Sequence, residues 1–165
     1  MRWLAVRVGD VRCCIEIDAL EQVVSLMALT TLPGGPPCLK GFFDYHGSNV
    51  AAIDLAERLK LPPQAHYSLD TCVVIAHSEH RRGGLIVDEV YGLIDCPAHD
   101  LAHHDDFAAR RLPFKATMPT RFGMALCLDT YAVLDVADVL ERPQLDYTPP
   151  DSLRVDPPTA GGGAA

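Results

Sequence analysis

Two arrangements in this sequence carry residue types that could do chemistry. His99 and His103 are four residues apart. On a helix that spacing places both imidazoles on one face, where with the nearby Cys96 they could hold a metal ion for a sensor or a metal-dependent enzyme. His104, Asp105 and Asp106 lie alongside. The competing reading is a solvated acidic loop, because Pro97 interrupts the local geometry and loops use polar residues of these types anyway. The second arrangement is Asp54 and Asp88, each placed at the end of an apolar run. If they met in space they could serve as general acid and base. The plainer reading, which the sequence favours, is that Asp54 caps the helix it begins and Asp88 satisfies backbone amides.

Other chemistries fail on their spacing. Gly34-Gly35 and Gly83-Gly84 are followed by neither Gly-Lys-Ser/Thr nor a Gly-x-Gly-x-x-Gly pattern, so nothing aims a row of amides at a phosphate. Gly47-Ser48 lacks the second glycine of a nucleophile elbow. His77 and His80 flank a charged turn and make a still weaker metal pair. No catalytic constellation remains, and a binding module is the expectation: no enzyme and no cofactor.

Composition agrees with a single soluble domain. The chain has 165 residues, 48% hydrophobic and 22% charged, with 22 acids against 14 bases and a net charge of −8. That balance argues against nucleic acid and against an anionic membrane surface, both of which call for clustered Lys and Arg. The start, Met1 to Arg7, has no apolar h-region and no cleavage site, and no run approaches the ~20 apolar residues of a spanning helix. The expectation is a cytosolic protein without membrane insertion. Six cysteines form no Cys-x-x-Cys pair and mostly lie in apolar runs, as reduced, buried thiols do in the cytosol.

The elements that must position these residues are short and mostly extended. Residues 3–8 and Val11 to Ile17 read as a hairpin turning at Gly9-Asp10. Asp18 could cap a helical turn through Ala19, Leu20, Glu21 and Gln22, after which Val23 to Met27 looks extended. Three prolines and two glycines between Thr31 and Pro37 force a loop. Gly41 to Leu55 reads as a hairpin whose turn carries His46, Gly47, Ser48 and Asn49, with a short helix starting near Asp54 and ended by Pro62-Pro63. Asp70 to Ala76 is a buried strand, His77 to Gly83 an exposed charged turn, and Gly84 to Val90 its apolar partner strand, continuing to Asp95. Residues 98–115 read as a loop with some helix. Thr120 to Leu128 and Tyr131 to Val136 read as a last hairpin turning at Asp129-Thr130, followed by a helical turn over Asp135 to Leu140. From 143 to 165 the proline- and glycine-rich tail is expected to be disordered. About eight to ten short strands with few helices is the pattern of a mainly β barrel or sandwich.

The order of these motifs resembles the CheW-like family, the small adaptors of bacterial chemosensory arrays. The resemblance covers residues 1–142. It rests on Leu4 to Asp10, Cys13 to Ile17, Leu20-Glu-Gln-Val-Val24, Leu32-Pro33 with Pro36-Pro37, and Gly84-Leu-Ile-Val-Asp-Glu-Val90. It rests also on Gly41 to Leu55, which corresponds to the family's Gly-x-x-Asn-x-Arg-Gly-x-x-x-Pro-x-x-Asp-Leu. The resemblance implies two small five-stranded SH3-like barrels sharing a core. It implies a non-catalytic adaptor that couples the cytoplasmic tip of methyl-accepting chemoreceptors to the regulatory domain of a CheA-type histidine kinase. The docking residues it implies are Leu20, Gln22, Val23, Gly41, His46, Gly47, Gly84 and Val90.

This chain departs from the family pattern in several places. His46 stands for the family's Arg, Ala51 for its Pro, Gln22 for a glutamate, Cys13 for an aromatic residue and Asn49 for an apolar one. An imidazole cannot reproduce the permanently charged five-donor fork of arginine. Phe43-Asp-Tyr-His-Gly47 looks more like the variant adaptors of surface-sensing (Wsp-type) pathways, whose kinase drives a diguanylate cyclase response regulator.

Overall fold

The computed structural model describes residues 1–31, 33–62, 67–79, 81–110 and 112–135. The expected tail and most of the helical turn after Asp135 lie outside these residues. The described chain is mainly β. Its strands are β1 (Arg2–Val8), β2 (Val11–Glu16), β3 (Leu20–Ser25), β4 (Leu39–Tyr45), β5 (Ser48–Asp54), β6 (Cys72–Ser78), β7 (Arg81–Val87), β8 (Glu89–Asp95), β9 (Ala102–His103), β10 (Phe114–Thr120) and β11 (Gly123–Leu128). Three short helices accompany them: α1 (Leu55–Arg58), α2 (Asp105–Ala109) and α3 (Thr130–Leu134).

The strands form two sheets. One has six strands in the order β8-β1-β2-β11-β10-β9, and the other has five in the order β3-β6-β7-β5-β4. Most neighbours are antiparallel, but β2 pairs β11 and β5 pairs β7 in parallel. The five-stranded sheet and the shared core match the expectation. The other sheet gains a sixth member, the two-residue β9 on the edge of β10.

Side-chain alternation explains how one chain feeds three cores. In β1, Leu4, Val6 and Val8 enter a core shared by both sheets, while Trp3 and Ala5 enter a core of the six-stranded sheet. In β6, Val74 and Ala76 join the shared core, and Val73 and Ile75 join Phe43, Val50 and Ile86 in a core of the five-stranded sheet. Successive side chains of a strand point to opposite faces. A strand buried on both faces therefore reads as a nearly continuous apolar run. Each fully buried Val, Leu or Ile contributes about 1.5–3 kcal/mol, so the shared core, with Ile15, Ile53, Leu55, Leu85, Leu128 and Leu134, holds the two sheets together.

Four local expectations are corrected. The helical turn over Ala19 to Gln22 shrinks to a 3-10 turn at Ile17–Ala19, because from Leu20 the chain pairs with β6, setting Val23 against Val74 and Val24 against Val73. The turn expected over His77 to Gly83 is much shorter, since the β6–β7 ladder continues through His77↔Arg82 to Ser78↔Arg81. The strand expected to run from Gly84 through Val90 divides at Asp88, with β7 in the five-stranded sheet and β8 in the six-stranded one. The last hairpin joins β10 to β11 around Arg121-Phe122 rather than turning at Asp129-Thr130. The Asp129 carboxylate instead accepts a hydrogen bond from the Ala132 amide at 3.2 Å and caps α3, so Tyr131 to Leu134 is helical.

Candidate docking surface

The β4–β5 hairpin forms one end of the five-stranded sheet. Tyr45 pairs with Ser48, leaving His46 and Gly47 as a two-residue turn. Their φ angles are +50° and +82°. Positive φ at both central residues is the type I′ geometry that matches strand twist. Gly47 suits it and His46 tolerates it at a cost. The expected turn is thus two residues shorter, since Ser48 and Asn49 already belong to β5.

Gly41 lets the five-stranded sheet close. Beyond β3 the chain returns to β4, where Thr30 and Phe42 exchange amide-to-carbonyl hydrogen bonds of 2.8 Å each. A Cβ on Gly41 would sit 2.4 Å from the Thr30 carbonyl oxygen, and its φ is +146°. Gly84 is equally confined, because a Cβ there would meet Val73 at 2.7 Å and the Phe43 ring at 2.8 Å. Both glycines are buried; they shape the surface without being part of it.

Closure brings together the two edge strands β3 and β4. The Tyr45 hydroxyl donates to Gln22 Oε1 across the seam. Leu20 and Val23 of β3 are half-buried and pack on the shared core, leaving Gln22 exposed. The His46 ring lies edge-on to Tyr45 with centroids 4.3 Å apart. From β7, the Arg82 guanidinium lies over the same tyrosine, 5.4 Å from its centroid. Arg82 Nε donates to Glu21 Oε2 at 2.8 Å, and a second guanidinium nitrogen donates to Oε1. That bidentate contact holds the Glu21 carboxyl below the usual carboxylate range, with Arg82, His77 and His46 adding electrostatic support. The structure therefore brings Gln22, His46 and Gly47 to one exposed end of the sheet. Sequence reasoning did not anticipate Glu21, Tyr45 and Arg82 beside them. The overlooked signal is that arginines next to glycines after a short turn can continue a strand.

Val90 lies elsewhere. It is half-buried in β8, paired with Val6, and lines a groove of about 560 Å³ with Arg7, Ser68, Asp70, Cys72, Asp88 and Glu89.

The metal reading does not survive the geometry. His99 belongs to a 3-10 turn at Ala98–Asp100 and His103 to β9, opposite Ala116, so the helix that would align them does not form. The His99 side chain is 81% exposed and 3.4 Å from Asp100. Cys96 is buried, and burial pushes its thiol up, which opposes the thiolate a metal needs. Among the described residues no three His, Cys, Asp or Glu side chains converge as a metal site would require.

The two carboxylates also take structural places. Asp54 Oδ1 accepts from the Glu57 amide at 3.2 Å and Oδ2 from the Tyr67 hydroxyl at 2.8 Å. Asp88 Oδ2 accepts from the Gly9 amide at 2.6 Å.

Two sheets of this topology around a shared core, with the Gly41–Leu55 hairpin at one end, fit the match to known proteins: the CheW-like domain family model covers residues 2–138. The chain belongs to the CheW-like family. It is 28% identical over 91 residues to "Probable chemotaxis protein CheW" of Rhizobium etli, covering 55% of this chain and 58% of that protein. It is 26% identical over 106 residues to "Chemotaxis protein CheW" of Rhizobium meliloti, covering 64% and 68%. The chain thus spans somewhat more than half the length of the first relative and about two thirds of the second. The fold is similar to the crystal structure of scaffolding protein TtCheW from Thermoanaerobacter tengcongensis. The TM-score is 0.69 at 20% identity, covering 77% of this chain and 87% of that one. Among the described residues of this CheW-like chain, no helix is long and apolar enough to cross a membrane.

Proposed function

We propose that this CheW-like chain is a non-catalytic adaptor that couples the cytoplasmic tips of methyl-accepting chemoreceptors to a CheA-type histidine kinase. The observation that carries this reading is the family match across both sheets, from residue 2 to residue 138. The names of its relatives, a scaffolding protein and two chemotaxis proteins, support it. The geometry is suited to the role. Chemically active groups such as Asp54 and Asp88 are engaged in capping and turn contacts, while the hairpin end leaves Gln22 and His46 exposed. Coupling then means that one chain binds receptor and kinase at once and holds them together. The site of action is the cytoplasm, where receptor tips lie.

The test is binding of the purified chain to a CheA-type kinase and to a receptor cytoplasmic fragment from the same organism. The expected result is a complex with each, and a ternary complex tighter than either pair. Failure to bind both partners overturns the reading. His46→Arg is expected to change receptor or kinase affinity, which titration of the variant measures directly.

A further inference from the structure

A second site lies away from the hairpin end, where the chain passes from one sheet to the other. The groove beside Val90, of about 560 Å³, takes one wall from β1 and β8 and the other from the segment that opens β6. Cys72 starts β6 at this groove, whereas His77, near the far end of the strand, pairs with Arg82, the residue that reaches Tyr45. At ~3.3 Å per residue, the steps from Cys72 to His77 separate the two places by roughly 16 Å.

The charges of the groove are lopsided. Asp70, Asp88 and Glu89 line it with a single cation, Arg7. That guanidinium is already engaged: Nη1 donates to the Gly9 carbonyl at 3.0 Å and Nε to Glu89 Oε2 at 3.3 Å, with Nη1 3.6 Å from Asp88 Oδ2. Among the described residues this leaves Asp70 without a cation. The turn that carries Asp70 is ordered, since the Ser68 amide donates to Thr71 Oγ1 at 2.9 Å and the Asp70 amide to Ser68 Oγ at 3.2 Å.

Acids gathered on a surface are ordinarily just solvated, and Asp88 is what sets this groove apart. Only 6% of its side chain is exposed. Its Oδ2 takes both the Gly9 amide and the Arg7 contact, while no donor among the described residues reaches Oδ1. Oδ1 still touches the groove, because the partnerless side-chain atoms cut off from solvent are Trp3 Nε1 and Glu57 Oε2. A carboxylate oxygen withdrawn from bulk water without a donor is costly. A cation entering the groove supplies that donor and offsets the excess negative charge together.

We propose that this groove is a binding site for an organic cation on an alkyl stem, a guanidinium or ammonium group seated on Asp88 Oδ1 between Asp70 and Glu89. The stem lies along Val90 and Cys72, which are half-buried and pack on the shared core, as arginine and lysine stems lie on apolar surface. The groove has the size of a small-ligand site, with few polar groups at its base. A bare divalent ion does not fit, because among the described residues no three ligating side chains converge. The proposal stands apart from the adaptor reading, and neither depends on the other.

Calorimetric titration of the full chain tests it with three probes: butylguanidinium as a free cation, a capped Gly-Arg-Gly peptide as a polypeptide-borne one, and butylurea as the uncharged shape. One-to-one binding of a cationic probe is expected, with butylurea weaker by roughly tenfold or more, the scale of a hydrogen bond to a charged group. Tighter binding of the peptide assigns a polypeptide side chain, and tighter binding of butylguanidinium a free small cation. The double variant Asp70→Asn with Glu89→Gln is expected to weaken binding roughly tenfold. So is Asp88→Asn, which keeps an acceptor for the Gly9 amide; should that variant not fold, the double variant, confined to exposed residues, decides. Asp18→Asn, an exposed acid in the turn before β3, is expected to change nothing. Butylurea bound as tightly as butylguanidinium would reduce the groove to an apolar contact, and an equal loss from Asp18→Asn would reduce it to net charge. Either result overturns the proposal, as does failure of both cations to bind or an affinity unmoved by the groove variants.

Discussion

The Asp88 carboxylate accepts the Gly9 amide at 2.6 Å, and in return the Asp88 amide donates to the Arg7 carbonyl at 3.0 Å. This reciprocal contact fixes the β1–β2 turn to the residue at which the chain leaves one sheet for the other. Asp88 is 9% exposed, so water cannot readily replace it. Asp88→Ala should therefore lower stability by about 1 kcal/mol, the net worth of one hydrogen bond to a half-buried amide. Asp88→Asn, which keeps an acceptor oxygen, should cost less. Urea unfolding midpoints of the two variants check the order, and equal midpoints would show that the Gly9 contact contributes nothing.

Gly41 and Gly47 both have positive φ, but only Gly41 is confined. Gly41→Ala forces a Cβ toward the Thr30 carbonyl at a φ of +146°, a region close to glycine-only. A loss of about 2–3 kcal/mol is expected. Gly47→Ala at +82° meets nothing within 4 Å and should cost about 1–2 kcal/mol. Thermal unfolding of both variants tests the ranking. A Gly41→Ala chain as stable as Gly47→Ala would mean that closure at Thr30–Phe42 does not constrain the sheet.

His46 separates stability from docking. At φ +50° it occupies the turn position where Asn-Gly is the preferred pair. His46→Asn should raise stability by about 0.5–1 kcal/mol and alter receptor affinity, because the ring against Tyr45 is lost. Calorimetry and binding on one preparation measure both. A variant unchanged in affinity would leave His46 a turn residue and nothing more.

Burial pushes the Cys13, Cys14 and Cys127 thiols up to about 12, reinforced by the neighbouring thiols. In the unfolded chain a thiol ionises near ~8.5. The folded state therefore keeps protons that the unfolded state has released. The stabilisation is complete below that lower value and is lost as pH rises toward 12. Stability should fall across this alkaline window, and Cys14→Ala should make the decline shallower. Thiol labelling near neutral pH should modify the half-buried Cys72 first and leave the five buried cysteines to unfolding conditions. Rapid labelling of several thiols in the folded chain would contradict the burial.

Much of this molecule follows from its residues alone. The apolar run of β1 and the alternation read in β2, the turn glycines Gly9 and Gly47, and the cap at Asp54 are local signals, decided by sterics and hydrogen bonding within a few residues. So is the motif order that marks the family. The breaks were less legible where a local pattern was ambiguous. Gly84 to Val90 is apolar throughout, and nothing in that run announces that the chain changes sheets at Asp88. Asp129 followed by Thr130 suits a hairpin turn and a helix cap alike, and packing of Val133 and Leu134 into the shared core chose the cap.

The candidate surface at the hairpin end was the least legible part, for a physical reason. Glu21, Tyr45 and Arg82 lie on strands separated by long stretches of chain, and they meet because β5 pairs β7 in parallel and Thr30 closes on Phe42. Pairings between distant strands depend on how whole sheets curl and bury their faces, which no window of sequence encodes. The sequence by itself determined that this chain is a β-rich CheW-like protein with His46 at its hairpin turn. The tertiary structure decided that the charge beside that turn comes from Arg82, because only the closed sheet brings β3, β4 and β7 to one ring.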